Sequence, residues 1–265
     1  MSEGLFLYLW KVFPSLLFVF ARISAFFIAF PFVSSPFLPV RIRIFLSLAL
    51  SFYLVSFVHV SGITLDSVSL PEFFLILLGE VLMGLSFALV AQIFFAIVIY
   101  AADVLSYLMG LTVVNLFDPT FGMVSVVGRF FVFLFYLLFF ETDAYKVFLA
   151  ALVESFRLIP PGGFSISQSI FDFFLRETSL IFSFGFKMAF PFLFVLFVAN
   201  LILALVNRLI PQINVFIVGL PMQIFVGLLF LSLGFSAVIY FMVELLNRYG
   251  EDLVKLLKVL GASGG

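Results

Sequence analysis

The stretch Phe87-Ala88-Leu89-Val90-Ala91-Gln92-Ile93-Phe94-Phe95-Ala96-Ile97-Val98 decides the fold, because it is apolar at every position on both sides of one amide. It lies inside a charge-free run, 81–102, about as long as the ~20 residues a helix needs to cross a ~30 Å hydrocarbon core. In lipid only helices and closed barrels satisfy their own backbone groups. A barrel strand would alternate in polarity over about 10 residues, and no such alternation is present. The segment therefore reads as a membrane helix, and the charge-free runs 44–65 and 188–207 read the same way.

Composition extends this reading to the whole chain. Of 265 residues, 65% are hydrophobic, 10% are charged and 43 are Phe, whereas a soluble domain carries charge at about a quarter of its positions. The chain reads as an all-α integral membrane protein forming a single membrane domain over 1–265. Thirteen basic and fourteen acidic side chains, with no basic stripe, exclude nucleic acid as a partner. The absence of Cys and the single His59 remove disulfides, Cys-ligated metals and multi-histidine metal sites. His59 itself reads as a hydrogen-bonded interfacial residue. There is no Gly-x-Ser-x-Gly, His-Glu-x-x-His or phosphate-binding loop, so no enzyme class is indicated. Lys11 and Arg22 lie inside the first apolar segment, which is not the layout of a cleavable signal peptide.

Six long hydrophobic segments are expected, at about 5–30, 42–62, 72–101, 124–141, 179–207 and 212–246, packed in helical hairpins. Several should be kinked or broken. Pro31, Pro36 and Pro39 break the end of the first, and Pro211 and Pro221 interrupt the last. Asp118-Pro119 should stop a helix near Phe117, since the residue before a proline is driven out of the helical region. Pro160-Pro161-Gly162-Gly163 predicts a turn within 142–178, a stretch expected to sit at an interface or to fold back on the bundle. Ala102, Ser106 and Gly110 recur every four positions, a small-residue stripe that lets another backbone approach.

Charges within apolar segments are costly and point to internal pairs or to a transport pathway. The candidates are Arg22, Glu80, Asp103, Arg129, Lys187 and Arg208. Glu80 and Asp103 could be proton or cation stations of an ion-coupled secondary transporter; alternatively they pair with Arg22, Arg129, Lys187 or a neighbouring subunit and fix helix register. Their scatter along the chain favours pairing, because transport sites gather polar groups at one depth.

The string Asn207-Arg208-Leu209-Ile210-Pro211-Gln212-Ile213-Asn214-Val215-Phe216-Ile217-Val218-Gly219-Leu220-Pro221 reads as a tight helix-to-helix turn. Arg208 is placed to bond the last carbonyls of the preceding helix, and Gln212 and Asn214 to satisfy groups freed by Pro211.

With Arg208-x-x-Pro211-Gln212-x-Asn214-Val215-Phe216-x-x-Gly219-x-Pro221 the chain resembles the FliR family of flagellar biosynthesis proteins, related to an export-gate subunit of virulence type III secretion systems. Gly79-Glu80-x-x-x-Gly84, Asp118-Pro119, Ser155-Phe156-x-x-x-Pro160 and Arg22 with the Pro31-to-Arg43 connection support the resemblance. It implies a membrane subunit of the flagellar protein export gate in the bacterial inner membrane and basal body, without cofactor or catalytic residues. It further implies assembly with FliP and FliQ beside FlhB, within lipid, around a conduit for unfolded flagellar proteins. The segment 110–122, holding Gly110, Asp118, Pro119 and Gly122, resembles the loop that helps to plug the closed conduit. The resemblance also implies that some hydrophobic segments need not span the bilayer.

Overall fold

The computed structural model describes residues 2–34, 38–56, 68–111, 125–209 and 215–262, with side chains from residue 13 onward and, in the last stretch, from residue 218. Among these residues there are helices and turns and no strand. The helices are α1 (Ser2–Ala29), α2 (Val40–Leu54), α3 (Leu70–Leu108), α4 (Val126–Glu141), α5 (Ala144–Leu158), α6 (Gln168–Leu209), α7 (Val215–Leu233) and α8 (Phe235–Ala262). Eight described helices thus replace the six expected segments.

The differences have local causes. The fourth segment begins two residues late, at Val126, because Ser125 caps it: its Oγ accepts the Gly128 N–H at 2.9 Å. The stretch 142–178, expected to hold a turn, is mostly helical on either side of it. α5 occupies 144–158 and α6 starts at Gln168, ahead of the expected 179. Only the connection between them breaks, where Gly163 N–H bonds the Pro160 carbonyl at 2.9 Å and Gly162 takes φ 87°. That is the arrangement in which the third residue of a turn must be glycine. α3 ends at Leu108 through a glycine cap. Gly110, at φ 73°, donates its N–H to the Tyr107 carbonyl, and Leu111 N–H reaches back to the Ser106 carbonyl, each at 3.0 Å; this pair of bonds satisfies carbonyls the helix end leaves open. Gly110 is therefore a cap that lies just past the last helical residue of α3. The expected stop near Phe117 lies outside the described residues.

The last apolar segment breaks at Gly234 rather than at Pro221. α7 and α8 meet there at 62°, while Pro221 is accommodated inside α7. A Cβ on Gly234 would stand 2.8 Å from the Phe192 ring, so the bend sits where α6 presses a ring against the chain.

The chain forms two compact units. The first comprises Met1–Gln92, Ala144–Arg176 and Tyr249–Gly265; the second comprises Ile93–Asp143 and Glu177–Arg248. The first has an aromatic core in which Phe148 lies 4.3 Å from Phe26, 4.8 Å from Phe30 and 6.3 Å from Tyr249, centroid to centroid. In the second, Phe95 contacts Phe135 edge-on at 4.9 Å and Tyr100 meets Phe182 at 5.5 Å. Offset and edge-to-face rings at these distances are the favourable geometries, so part of the Phe excess is core.

The rest is surface. Two helices, α3 and α6, are long and apolar enough to cross a membrane, and a third crossing exists if the bent α7–α8 pair is one span. In α3 the most apolar 18-residue window is 61% buried, against 17% in α6. α3 is thus sheathed by protein. α6 turns Phe182, Phe186, Phe190 and Phe194 outward at four-residue spacing, one per turn of a single face. Such a face requires lipid or another apolar surface.

Candidate functional site: a buried arginine node

Arg22 of α1 is fully buried, as is Glu80 of α3. Its Nε–H donates to Glu80 Oε2 at 2.7 Å, Nη1 donates to Ser155 Oγ at 3.0 Å and Nη2 donates to the Ile159 carbonyl at 3.0 Å. The guanidinium also lies over the Phe156 ring, with Cζ 4.1 Å from its centroid. Ser155 Oγ–H in turn donates to the Leu152 carbonyl at 2.6 Å. One planar cation therefore reaches a carboxylate, a hydroxyl and the carbonyl just past the end of α5. This geometry suits the rigid donor fork of arginine, and lysine's point charge cannot reproduce it. The cation also faces the partial negative charge at the carboxyl end of α5.

Glycine brings the backbones close enough for this. A Cβ on Gly84 would fall inside contact distance of the Arg22 carbonyl oxygen and 3.0 Å from the Ala25 Cβ. α1 thus lies directly on α3 at Gly84, one turn along from Glu80, and the Arg22 side chain runs back along α3 to its partner. Gly79 sits beside Phe164, which follows the 160–163 turn, and a Cβ there would be 3.5 Å away, an ordinary contact. At the far end of α1, Gln92 Nε2 donates to the Ala29 carbonyl at 2.8 Å and holds the helix end to α3.

Three strings more than 50 residues apart, Arg22, Gly79-Glu80-x-x-x-Gly84 and Ser155-Phe156-x-x-x-Pro160, therefore form one node. Ser155, Phe156 and Ile159 were not singled out as site residues from the sequence; the Ser-Phe-x-x-x-Pro string was their only signal.

Asp103 is not part of this node. It belongs to the second unit, where its Oδ1 accepts the Ser125 Oγ–H at 2.6 Å and the Ser125 N–H at 3.3 Å. Ser125 in turn caps α4. Asp103 thus holds the capping residue of α4 to α3, a structural use that differs from the cation pairing expected for it. Replacing Ser125 by Ala should cost about 1 kcal/mol of local stability, the usual value of a lost cap. The check is hydrogen exchange at Gly128, whose amide should lose protection in S125A; unchanged protection would show that the cap contributes nothing.

Lys187, also considered as a partner for these carboxylates, instead lies over the Phe184 ring at 5.0 Å. Gly110 abuts α7, with a Cβ there 2.7 Å from Leu220 Cδ2 and 3.3 Å from Gln223 Oε1. Gln223 donates to Asn200 Oδ1, joining α7 to α6. Gly219 is buried, Pro221 is exposed within α7, and Arg208 is exposed in the last turn of α6. Asp118, Pro119, Gly122, Pro211, Gln212 and Asn214 lie outside the described residues.

The arrangement has no nucleophile–base pair, and among the described residues no cluster of three metal-ligating side chains exists. What it defines is a class: a helical membrane protein whose buried polar groups tie helices together and whose outer faces are apolar. Residues 13–249 match the model of a family described as "Bacterial export proteins, family 1", and the chain belongs to that family. It is 34% identical to the flagellar biosynthetic protein FliR of Aquifex aeolicus over 244 residues, 92% of each chain. It is 29% identical to that of Bacillus subtilis, covering 95% of this chain and 98% of the relative. The FliR of Escherichia coli is 28% identical over 210 residues, 78% of each chain.

Proposed function

We propose that the chain is a non-enzymatic membrane subunit of the flagellar type III protein export gate, located in the bacterial inner membrane at the basal body. There it forms with FliP and FliQ, beside FlhB, a conduit for unfolded flagellar proteins, and the whole chain serves as one membrane module. The observation that carries this reading is the family match over 13–249, whose span contains every residue of the arginine node. The outward apolar face of α6 supports it. From Phe171 to Leu209 exposed apolar side chains continue along one helix, about 57 Å at ~1.5 Å per residue, and a ~30 Å hydrocarbon core covers only half of that. Neighbouring subunits supply the remaining cover.

An ion-coupled transporter using Glu80 and Asp103 is the rival. Glu80 Oε1 is buried without a hydrogen-bond partner, which is the feature such a reading would use. Against it, Glu80 is already neutralised by Arg22. Asp103 lies 23 residues further along the same helix, about 35 Å of rise, too far for the two to act at one depth.

Mild-detergent purification followed by mass spectrometry of the co-purifying chains tests the assignment. Recovery of FliP and FliQ homologues is expected; a stable lone protein that carries substrate-dependent proton or sodium flux in liposomes would replace the gate with a transporter. Deleting 110–122 should leave a complex that assembles but leaks ions and small solutes. Unchanged permeability of the assembled complex would remove the plug role from this segment.

A further inference from the structure

Lys187 is an exposed cation of α6, with exposed Ser183 one turn before it and exposed Phe190 and Phe194 after it. It and Arg208, both exposed, bracket the charge-free run 188–207 of α6. Those twenty residues rise about 30 Å, the thickness of the hydrocarbon core. Where α6 crosses a bilayer over this run, Lys187 stands at the level at which hydrocarbon ends and phospholipid headgroups begin.

A second cation comes to the same level from another helix. Arg248 of α8 lies with Cζ 4.7 Å from the Phe184 centroid, and Lys187 Nζ is 5.0 Å from that same centroid. The ring thus gathers two cations from two helices at the end of the apolar run. Arg248 is half-buried and also engages other protein groups. Lys187 is exposed and makes no ion pair among the described residues, which leaves its ammonium available. The exposed carboxylates nearest to Arg248 in sequence on α8 are Glu251, three residues after it, and Glu244, four residues before it. Within the run, on the hydrocarbon side of Lys187, Phe190 and Phe194 are exposed and offer an apolar track for an acyl chain.

We infer that Lys187, with Arg248 around Phe184, forms a binding site for the headgroup phosphate of an anionic phospholipid. A phosphate oxygen accepts hydrogen bonds from the ammonium at headgroup level, while the acyl chain lies along the phenylalanine face of α6. Basic side chains at the ends of apolar helices recognise anionic headgroups in this way. The inference is independent of the export reading, because it needs only the membrane placement of α6.

The test is lipid retention by the full chain, purified in mild detergent with the subunits that accompany it and analysed by native mass spectrometry. Wild-type protein exchanged against mixed phosphatidylglycerol and phosphatidylcholine micelles should retain phosphatidylglycerol preferentially, a comparison that requires no variant. Lys187→Gln should lower that preference roughly five-fold, the factor equivalent to about 1 kcal/mol per basic residue at an anionic surface. Lys187→Arg should keep it, and Arg157→Gln, which removes an exposed cation of α5, should leave it unchanged. Equal retention of the two lipids by wild type, or an unaltered preference in Lys187→Gln, overturns the site. Displacement of the lipid by inorganic phosphate alone would show a phosphate site without lipid specificity and overturn the lipid assignment.

Discussion

Arg22→Ala should be the most damaging single substitution in the first unit, with loss of about 3–5 kcal/mol, the cost of leaving one member of a buried ion pair uncompensated. Three groups lose the Arg22 donor at once: Glu80 Oε2, Ser155 Oγ and the Ile159 carbonyl. Glu80 Oε1 already lacks a hydrogen bond, so among the described residues the abandoned carboxylate keeps no donor once Arg22 is gone. Since native proteins are stable by only about 5–15 kcal/mol, such a loss should leave little assembled complex. Arg22→Lys should fall between, because an ammonium retains the charge but cannot serve carboxylate, hydroxyl and carbonyl in one plane. The double variant Arg22→Met with Glu80→Met separates charge from packing. Buried ion pairs often exchange for apolar residues of similar volume at little cost, so the double variant should recover most of the complex yield that Arg22→Ala loses. Thermal melting of the purified complex measures the series. A double variant as damaged as Arg22→Ala would mean that the charges themselves are required beyond holding α1, α3 and α5 together.

Gly84→Ala should be nearly as harmful, although it adds one methyl group. The obstructing atom is the Arg22 carbonyl oxygen, which is backbone and cannot rotate away. Accommodation therefore requires α1 to lift off α3, at the 1–3 kcal/mol typical of overpacking or about that order. That displacement also stretches the Arg22–Glu80 pair, so Gly84→Ala and Arg22→Lys should combine non-additively, as neighbours sharing one contact do. Gly79→Ala is the control. Its added methyl group would meet Phe164 at 3.5 Å and should change complex yield and melting temperature little. If the two glycine variants behave alike, close approach at Gly84 is not what positions the node.

Much of this was legible in the residues. Charge-free runs and the absence of alternation determined a helical membrane chain, because the backbone has no water to bond inside lipid and only a helix satisfies it locally. The turn at 160–163 was legible because proline and glycine restrict the backbone wherever they occur. Pairing of Glu80 with a basic residue was an open expectation, with Arg22 among three candidates. The selection of Arg22 follows from α1 crossing α3 at Gly84, a contact 62 residues apart in sequence that no periodicity reports.

Other features were decided only by packing. The last segment was expected to break at Pro221, yet a proline removes one backbone hydrogen bond and the surrounding ladder carries α7 through it. The bend falls at Gly234, where the Phe192 ring occupies the space of a side chain. Asp103 resembled a candidate ion station by its position in an apolar run, but its role as a tether of Ser125 depends on where α4 begins. Composition and local pattern thus determined solvent, secondary structure and turns, since each is governed by a few consecutive residues. Tertiary structure alone decided which buried charges meet, which glycines are contacts and where helices bend, since these depend on the crossing of distant helices.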